Sequence, residues 1–246
     1  MLLILCITAC GAALRVGHPN HLIDGHKRHV LFHGVNVVYK GPPWVPDVEG
    51  FDPDNSFSEQ DVENLADWGV NVVRLGVMWP GVEPAKGAVN GTYLDIIGGI
   101  VDMLWSHNIS VLLDFHQDVL AERFCGEGVP EWFFGDTFDR TFPHPLSGNF
   151  FTTPDNKTTS PIPTQDQCAR HGWATYQVAD AVGKAYQWLY EHPESMAVYW
   201  NAVAGRFRGH PGVLGYEIIN EPWPGDIYAD PFLLVPGVAD RKVFQA

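Results

Sequence analysis

The sequence predicts an α/β protein of the (β/α)8, or TIM-barrel, class, of which this chain carries about four βα units. Three observations carry that prediction. Four nearly continuous apolar runs alternate with segments of helical period. Strands that read as unbroken apolar runs are buried on both faces, as in a parallel sheet covered by helices. The runs also end in, or enclose, polar and charged residues, and the fourth is over by residue 222 of 246. A closed barrel needs eight strands, so these residues are expected to form the N-terminal half of one, cut off after about the fourth unit.

Taken in order, residues 30–38 form the first apolar run, followed by a loop from Tyr39 through Pro43. Ser58 and Asp61 make a capping-box-like start to a helix on which Val62, Leu65 and Ala66 share one face, ending at Gly69. Residues 71–77 are the second strand, with Arg74 inside it. Tyr93, Ile96, Ile97, Ile100 and Leu104 recur at the spacing of an amphipathic helix. Residues 110–116 are the third strand and run into Gln117 and Asp118.

The rhythm then breaks. Residues 119–172 hold Gly, Pro and aromatics, among them Trp132, Phe133, Phe134, Phe138, Phe150 and Phe151, without a clear period. A connection this long carries function or its own ordered structure. Val178, Ala181, Val182, Ala185 and Leu189 line the next helix; Met196, Tyr199, Trp200, Val203 and Phe207 line the one after. Residues 213–219 are the fourth strand, and Asn220, Glu221 and Pro222 follow it. Pro222 cannot donate to a sheet and biases Glu221 away from helix, so the strand stops there.

Composition narrows the partners. The chain is 46% hydrophobic with a net charge of −14. Such acidity excludes a basic stripe for phosphates, so no nucleic-acid partner is expected. Residues 1–14 are an apolar stretch ending in small residues, too short to span a bilayer; they read as a signal peptide, leaving 15–246 as one domain. Acceptor sequons at Asn90, Asn108 and Asn156 fit a secreted glycoprotein, or one of a lysosomal or digestive lumen. Cys6 and Cys10 leave with the signal. Cys125 and Cys168 remain, either as a disulfide closing the long irregular stretch, which an oxidising compartment favours, or as two separate thiols. His18, His21, His26, His29 and His33 lie close in sequence without a Cys or carboxylate pair at ligand spacing, so neither a metal nor a cofactor is expected.

In a parallel barrel the C-terminal strand ends meet on one rim. Here they present Asn36 and Lys40, Arg74, His116 and Asp118, and Asn220 and Glu221. Amide, imidazole, ammonium and carboxylate around one cleft suit a polyhydroxylated ligand. A glycoside needs a carboxylic acid to protonate its leaving oxygen and a second carboxylate across the bond. Glu221 can be the first. The structural alternatives are an ion-paired Arg74, a hydrogen-bonded core His116 and a solvated Lys40.

Arg74, His116 and the run Asn220-Glu221-Pro222 resemble the retaining glycoside hydrolases of family 5. More closely, His33-Gly34-Val35-Asn36, Lys40-Gly41-Pro42-Pro43, residues 68–76, residues 113–118 and Asn220-Glu221-Pro222-Trp223 resemble endoglycoceramidases, from about residue 25 to 230. The resemblance implies hydrolysis of the oligosaccharide–ceramide bond of glycosphingolipids with retention, and contact with a membrane surface or micelle. It implies Glu221 as acid/base, Asn220 as the neighbour that binds the sugar 2-hydroxyl, and Lys40, His116 and Asp118 as ligands of the glucose unit. Arg74 would support the nucleophile's carboxylate. Trp132 and Trp173 are candidate walls for sugar or lipid. The family's nucleophile is a Glu after the seventh strand, and the later acids Asp226, Asp230 and Asp240 come too soon to replace it, so the chain is expected to be an inactive fragment. The competing readings are another family 5 glycanase, of cellulase or mannanase type, and a non-catalytic secreted protein that binds sugar or lipid.

Overall fold

The computed structural model describes residues 3–4, 14–17, 21–135 and 162–243. Cys6, Cys10, His18, Asn156, Phe138, Phe150, Phe151 and most of residues 1–14 lie outside them. Four strands, β1 (Gly34–Val37), β2 (Val72–Gly76), β3 (Ser110–Asp114) and β4 (Val213–Glu217), pair in that order and all in parallel. The helix α1 (Glu59–Asp67) lies between β1 and β2 in the chain, α2 (Gly91–Ser106) between β2 and β3, and α3 (Asp180–Glu191) and α4 (Ala197–Phe207) between β3 and β4. Consecutive strands as neighbours, joined by helical crossovers, are the expected first part of the (β/α)8 barrel.

The chain divides into two compact units, residues 1–84 with 89–116 and 199–220, and residues 85–88 with 117–198 and 221–246. The first holds the sheet. Val73, Leu75, Val111 and Leu113 are fully buried along β2 and β3, as are Ile97, Ile100, Val101 and Leu104 on α2, which packs against β3. Each such side chain contributes roughly 1.5–3 kcal/mol relative to exposure. The helix starts are built as their residues dictate. The Asp61 carboxylate accepts from the Ser58 backbone N–H at 2.7 Å and from its hydroxyl at 2.9 Å, and Asn90 Oδ1 accepts from the Tyr93 N–H at 3.1 Å. Near the C-terminal strand ends, Trp79, Phe115 and Tyr199 form a buried cluster with ring centroids 5.3–6.1 Å apart. The Tyr199 hydroxyl donates to the Val77 carbonyl at 2.7 Å.

Two sequence expectations change. The first strand is only Gly34–Val37, and Gly34, Val35 and Asn36 are exposed because β1 is the edge of the sheet. Asn71 clips the chain just before it, accepting from the His33 N–H at 2.8 Å and donating to the Leu31 carbonyl at 2.9 Å. The fourth strand ends at Glu217 and not at residue 219, since the ladder to β3 ends with Asp114 opposite Glu217. On the other edge Leu3–Ile4 pairs with β4 antiparallel, taking up edge hydrogen-bonding groups.

The second unit contains the long connection. A disulfide joins Cys125 to Cys168, with Cα atoms 5.4 Å apart, in place of two separate thiols. Inside its N-terminal arm, Arg123 donates from Nε to Glu131 at 2.7 Å and lies over the Phe134 ring at 5.1 Å. Phe134 meets Phe124 edge-on. Part of the stretch without a sequence period is thus ordered, built on short helical turns at Glu122–Phe124, Glu131–Phe134 and Gln165–Cys168.

Candidate active site

The register of the sheet decides which side chains meet. Arg74 pairs with Leu112, and Asp114, two residues further along β3, pairs with Glu217. Successive side chains alternate between faces, so Arg74, Asp114 and Glu217 share one face while Val73, Leu75 and Leu113 occupy the other. A register shift between Val111 and Leu112 moves β4 along by one residue and brings Glu217 level with Asp114.

Arg74 is the hub of this face. Its Nε donates to Glu217 Oε2 at 2.6 Å, and its Nη2 donates to Asn220 Oδ1 at 2.9 Å and contacts Asp114 Oδ2 at 3.0 Å. The same Asp114 oxygen lies 2.8 Å from His116 Nδ1. An ionised carboxylate can only accept, so that nitrogen carries the proton and the ring is held in one tautomer and one orientation. Asp114 is fully buried, and Asn220 and Glu217 nearly so. Desolvation raises the Asp114 carboxyl above its ordinary value, against the opposing pull of His116 and Arg74. Asp114 Oδ1 has no hydrogen-bond partner among the described residues. The cation therefore binds two carboxylates and turns the Asn220 amide so that its oxygen faces Arg74 and its NH2 group points elsewhere.

Of the sequence candidates, Arg74, His116 and Asn220 are brought together here. Lys40, in the same unit, is exposed. In the second unit, Asp118 is half-buried and exchanges two backbone hydrogen bonds with Glu127, at 3.0 and 2.8 Å. Trp132 is half-buried on the turn Glu131–Phe134, whereas Trp173 starts the helix Trp173–Gln177 with 62% of its surface exposed. Glu221 follows Asn220 directly in the chain; it is exposed and has a φ of 38°.

Residues 27–230 match the family Cellulase (glycosyl hydrolase family 5). The chain belongs to glycosyl hydrolase family 5. It is 43% identical to an endoglycoceramidase of Cyanea nozakii over 225 residues, 90% of this chain and 44% of that protein. It is 42% identical to an endoglycoceramidase of Hydra vulgaris over 230 residues, 92% of this chain and 44% of that one. Among solved structures, it is similar to endo-glycoceramidase II from Rhodococcus sp. in complex with ganglioside GM3, with a TM-score of 0.60 and 26% identity, covering 87% of this chain and 45% of the other. The chain thus spans about 44% of the length of the curated relatives it matches.

Sequence reasoning passed over Glu217. Its signal was present. A carboxylate two residues after Gly215, inside an apolar run, must be paired if its face is buried, and Arg74 is a charge enclosed in another apolar run. Asp114 lies within the third apolar run, and its partners follow from the register alone.

Proposed function

We propose that these residues are part of a retaining glycosidase that cleaves the bond between oligosaccharide and ceramide in glycosphingolipids. The observation that carries this reading is the Arg74 network on the strand ends, in a chain of family 5 that is 43% identical to an endoglycoceramidase. Glu221 is the acid/base. It protonates the departing ceramide oxygen, then takes the proton from the water that releases the sugar. Asn220, oriented by Arg74, binds the 2-hydroxyl of the sugar at the cleavage point. Lys40, His116 and Asp118 bind its other hydroxyls, and Trp132 and Trp173 offer apolar surface to sugar or lipid. Arg74 already pairs with Asp114 and Glu217, and in this reading it also supports the carboxylate of the nucleophile. That second carboxylate comes from a later strand of the barrel, so turnover requires more than the four strands described here.

The substrate is amphiphilic, so the enzyme works at a membrane surface or micelle. The disulfide supports passage through an oxidising, secretory compartment, with Asn90, Asn108 and Asn156 as glycan acceptors and residues 1–14 as the removable signal. The test uses a chain that carries this sequence and hydrolyses a fluorescent glycosylceramide. Glu221→Ala is expected to lower kcat about 10²–10⁴-fold on glycosylceramide, while a dinitrophenyl glycoside, which needs little protonation, loses far less. Equal losses on both substrates would remove Glu221 from the acid role. Turnover of cellulose or mannan in preference to glycosylceramide would replace the glycolipid reading with the glycanase one.

A further inference from the structure

Pro222 and Pro224 remove every second backbone donor from the segment that carries Glu221, so it cannot be held by donating its N–H groups as a strand would. Its carbonyls have to be gripped instead. The grip comes from one face of α3. Tyr190 donates its hydroxyl to the Trp223 carbonyl at 2.6 Å. One turn earlier, Tyr186 donates to Gln117 Oε1 at 2.6 Å, and Gln117 Nε2 lies 3.5 Å from the Glu221 carbonyl oxygen. Gln117 Oε1 also accepts from the Leu120 N–H at 3.0 Å. A backbone N–H can only donate, so the Gln117 oxygen must face it and the Gln117 NH2 group must face Glu221. Gln177 Nε2 stands 3.5 Å behind the Tyr186 hydroxyl, and the polarity then runs one way, from Gln177 through Tyr186 and Gln117 to Glu221.

A further turn back is Gly183. A Cβ there would lie 2.9 Å from the Gly225 carbonyl oxygen, so only glycine lets the helix come this close to the segment. Positions 183, 186 and 190 fall on one helical face. Gln117 and Tyr186 are fully buried, and burial pushes both tyrosine hydroxyls far above their ordinary pKa, so both remain donors. The φ of 38° at Glu221 is uncommon outside glycine and persists only where surrounding contacts hold it.

We propose that the Gly183–Tyr186–Tyr190 face of α3, with Gln117 as its relay, is the clamp that aims the Glu221 carboxyl. These are positioning residues, and the idea rests on Glu221 being the acid. Two measurements test it. In the 246-residue chain, the double variant Y186F/Y190F is expected to raise hydrogen–deuterium exchange of residues 218–226 about fivefold or more, with residues 110–115 unchanged. Unchanged exchange at 218–226 would overturn the clamp, as would an equal rise in both stretches, which reports general loosening.

In a chain that turns over substrate, Y186F is expected to lower kcat on glycosylceramide about tenfold with KM within twofold, and to leave a dinitrophenyl glycoside nearly untouched. Equal losses on both substrates, or a change confined to KM, would overturn the aiming role. If a chain that carries this sequence together with the later strands of the barrel hydrolyses no glycoside at all, the glycosidase reading falls, and the exchange measurement still decides whether the clamp exists.

Discussion

On the sheet, the Arg74 cation meets the carboxylates of Asp114 on β3 and Glu217 on β4 and the amide of Asn220 just beyond β4, at 2.6–3.0 Å. In the second unit, the segment from Glu221 is held through neutral groups, the Tyr190 hydroxyl and the Gln117 amide reaching backbone carbonyls and Tyr186 donating to Gln117, and the long connection is tied by a disulfide. Charge locking charge gives a rigid platform, but each partner left alone inside the protein is costly. Neutral donors on carbonyls hold the backbone without bringing a counter-charge to it. Under the proposed function the two kinds of hold divide the labour, the first fixing the amide of Asn220 and the second the backbone that carries Glu221.

The comparison breaks most sharply at Arg74. Arg74→Met strands Asp114 and Glu217 without their guanidinium, and a loss of about 3–5 kcal/mol is expected in urea unfolding. The exchange increase should concentrate in residues 72–76 and 213–217. A loss below ~1 kcal/mol would show that the network is not the sheet's lock.

Next comes the covalent tie. The sequence separation of 43 between Cys125 and Cys168 corresponds to about 4 kcal/mol of unfolded-state entropy, so the double Cys→Ser variant should lose about 2–4 kcal/mol. Here the expected exchange increase falls in residues 117–135 and 162–180, leaving the strands protected. Loosening of the strands to the same degree would erase the distinction between the two regions.

A smaller effect sharpens it through pH. The Asp114 carboxyl is raised in the folded state by desolvation, so between the unfolded value of about 3.9 and its folded value the native chain holds the proton more tightly. Its contribution to stability therefore declines as pH rises through that window and levels off above it. Asp114→Asn should remove that slope, measured as Tm against pH, whatever it does to the absolute value. An unaltered slope would assign the pH dependence to other groups.

Much of this arrangement was legible before any coordinates. Val62 and Leu65, Ile97 and Leu104, and the apolar runs at 71–77 and 110–116 sit where their period puts them, because burying one face is what makes such segments fold. Arg74, His116 and Asn220 were legible as a set because polar residues at the ends of buried strands have few other uses. The first strand was misjudged because an edge strand and a central strand can carry the same apolar run, and only pairing tells them apart.

What the amino-acid order determined by itself, then, is local: the elements, the faces they bury, the stop that Pro222 imposes, and the polar residues waiting at the strand ends. Tertiary structure decided who answers whom. The register shift beside Val111 brings Glu217 level with Asp114, and the packing of α3 puts Tyr186 and Tyr190 under carbonyls more than 30 residues away in the chain. Periodicity reports on neighbours a few residues apart. Partners separated by 33 to 146 positions are chosen only when the sheet and helices close on one another.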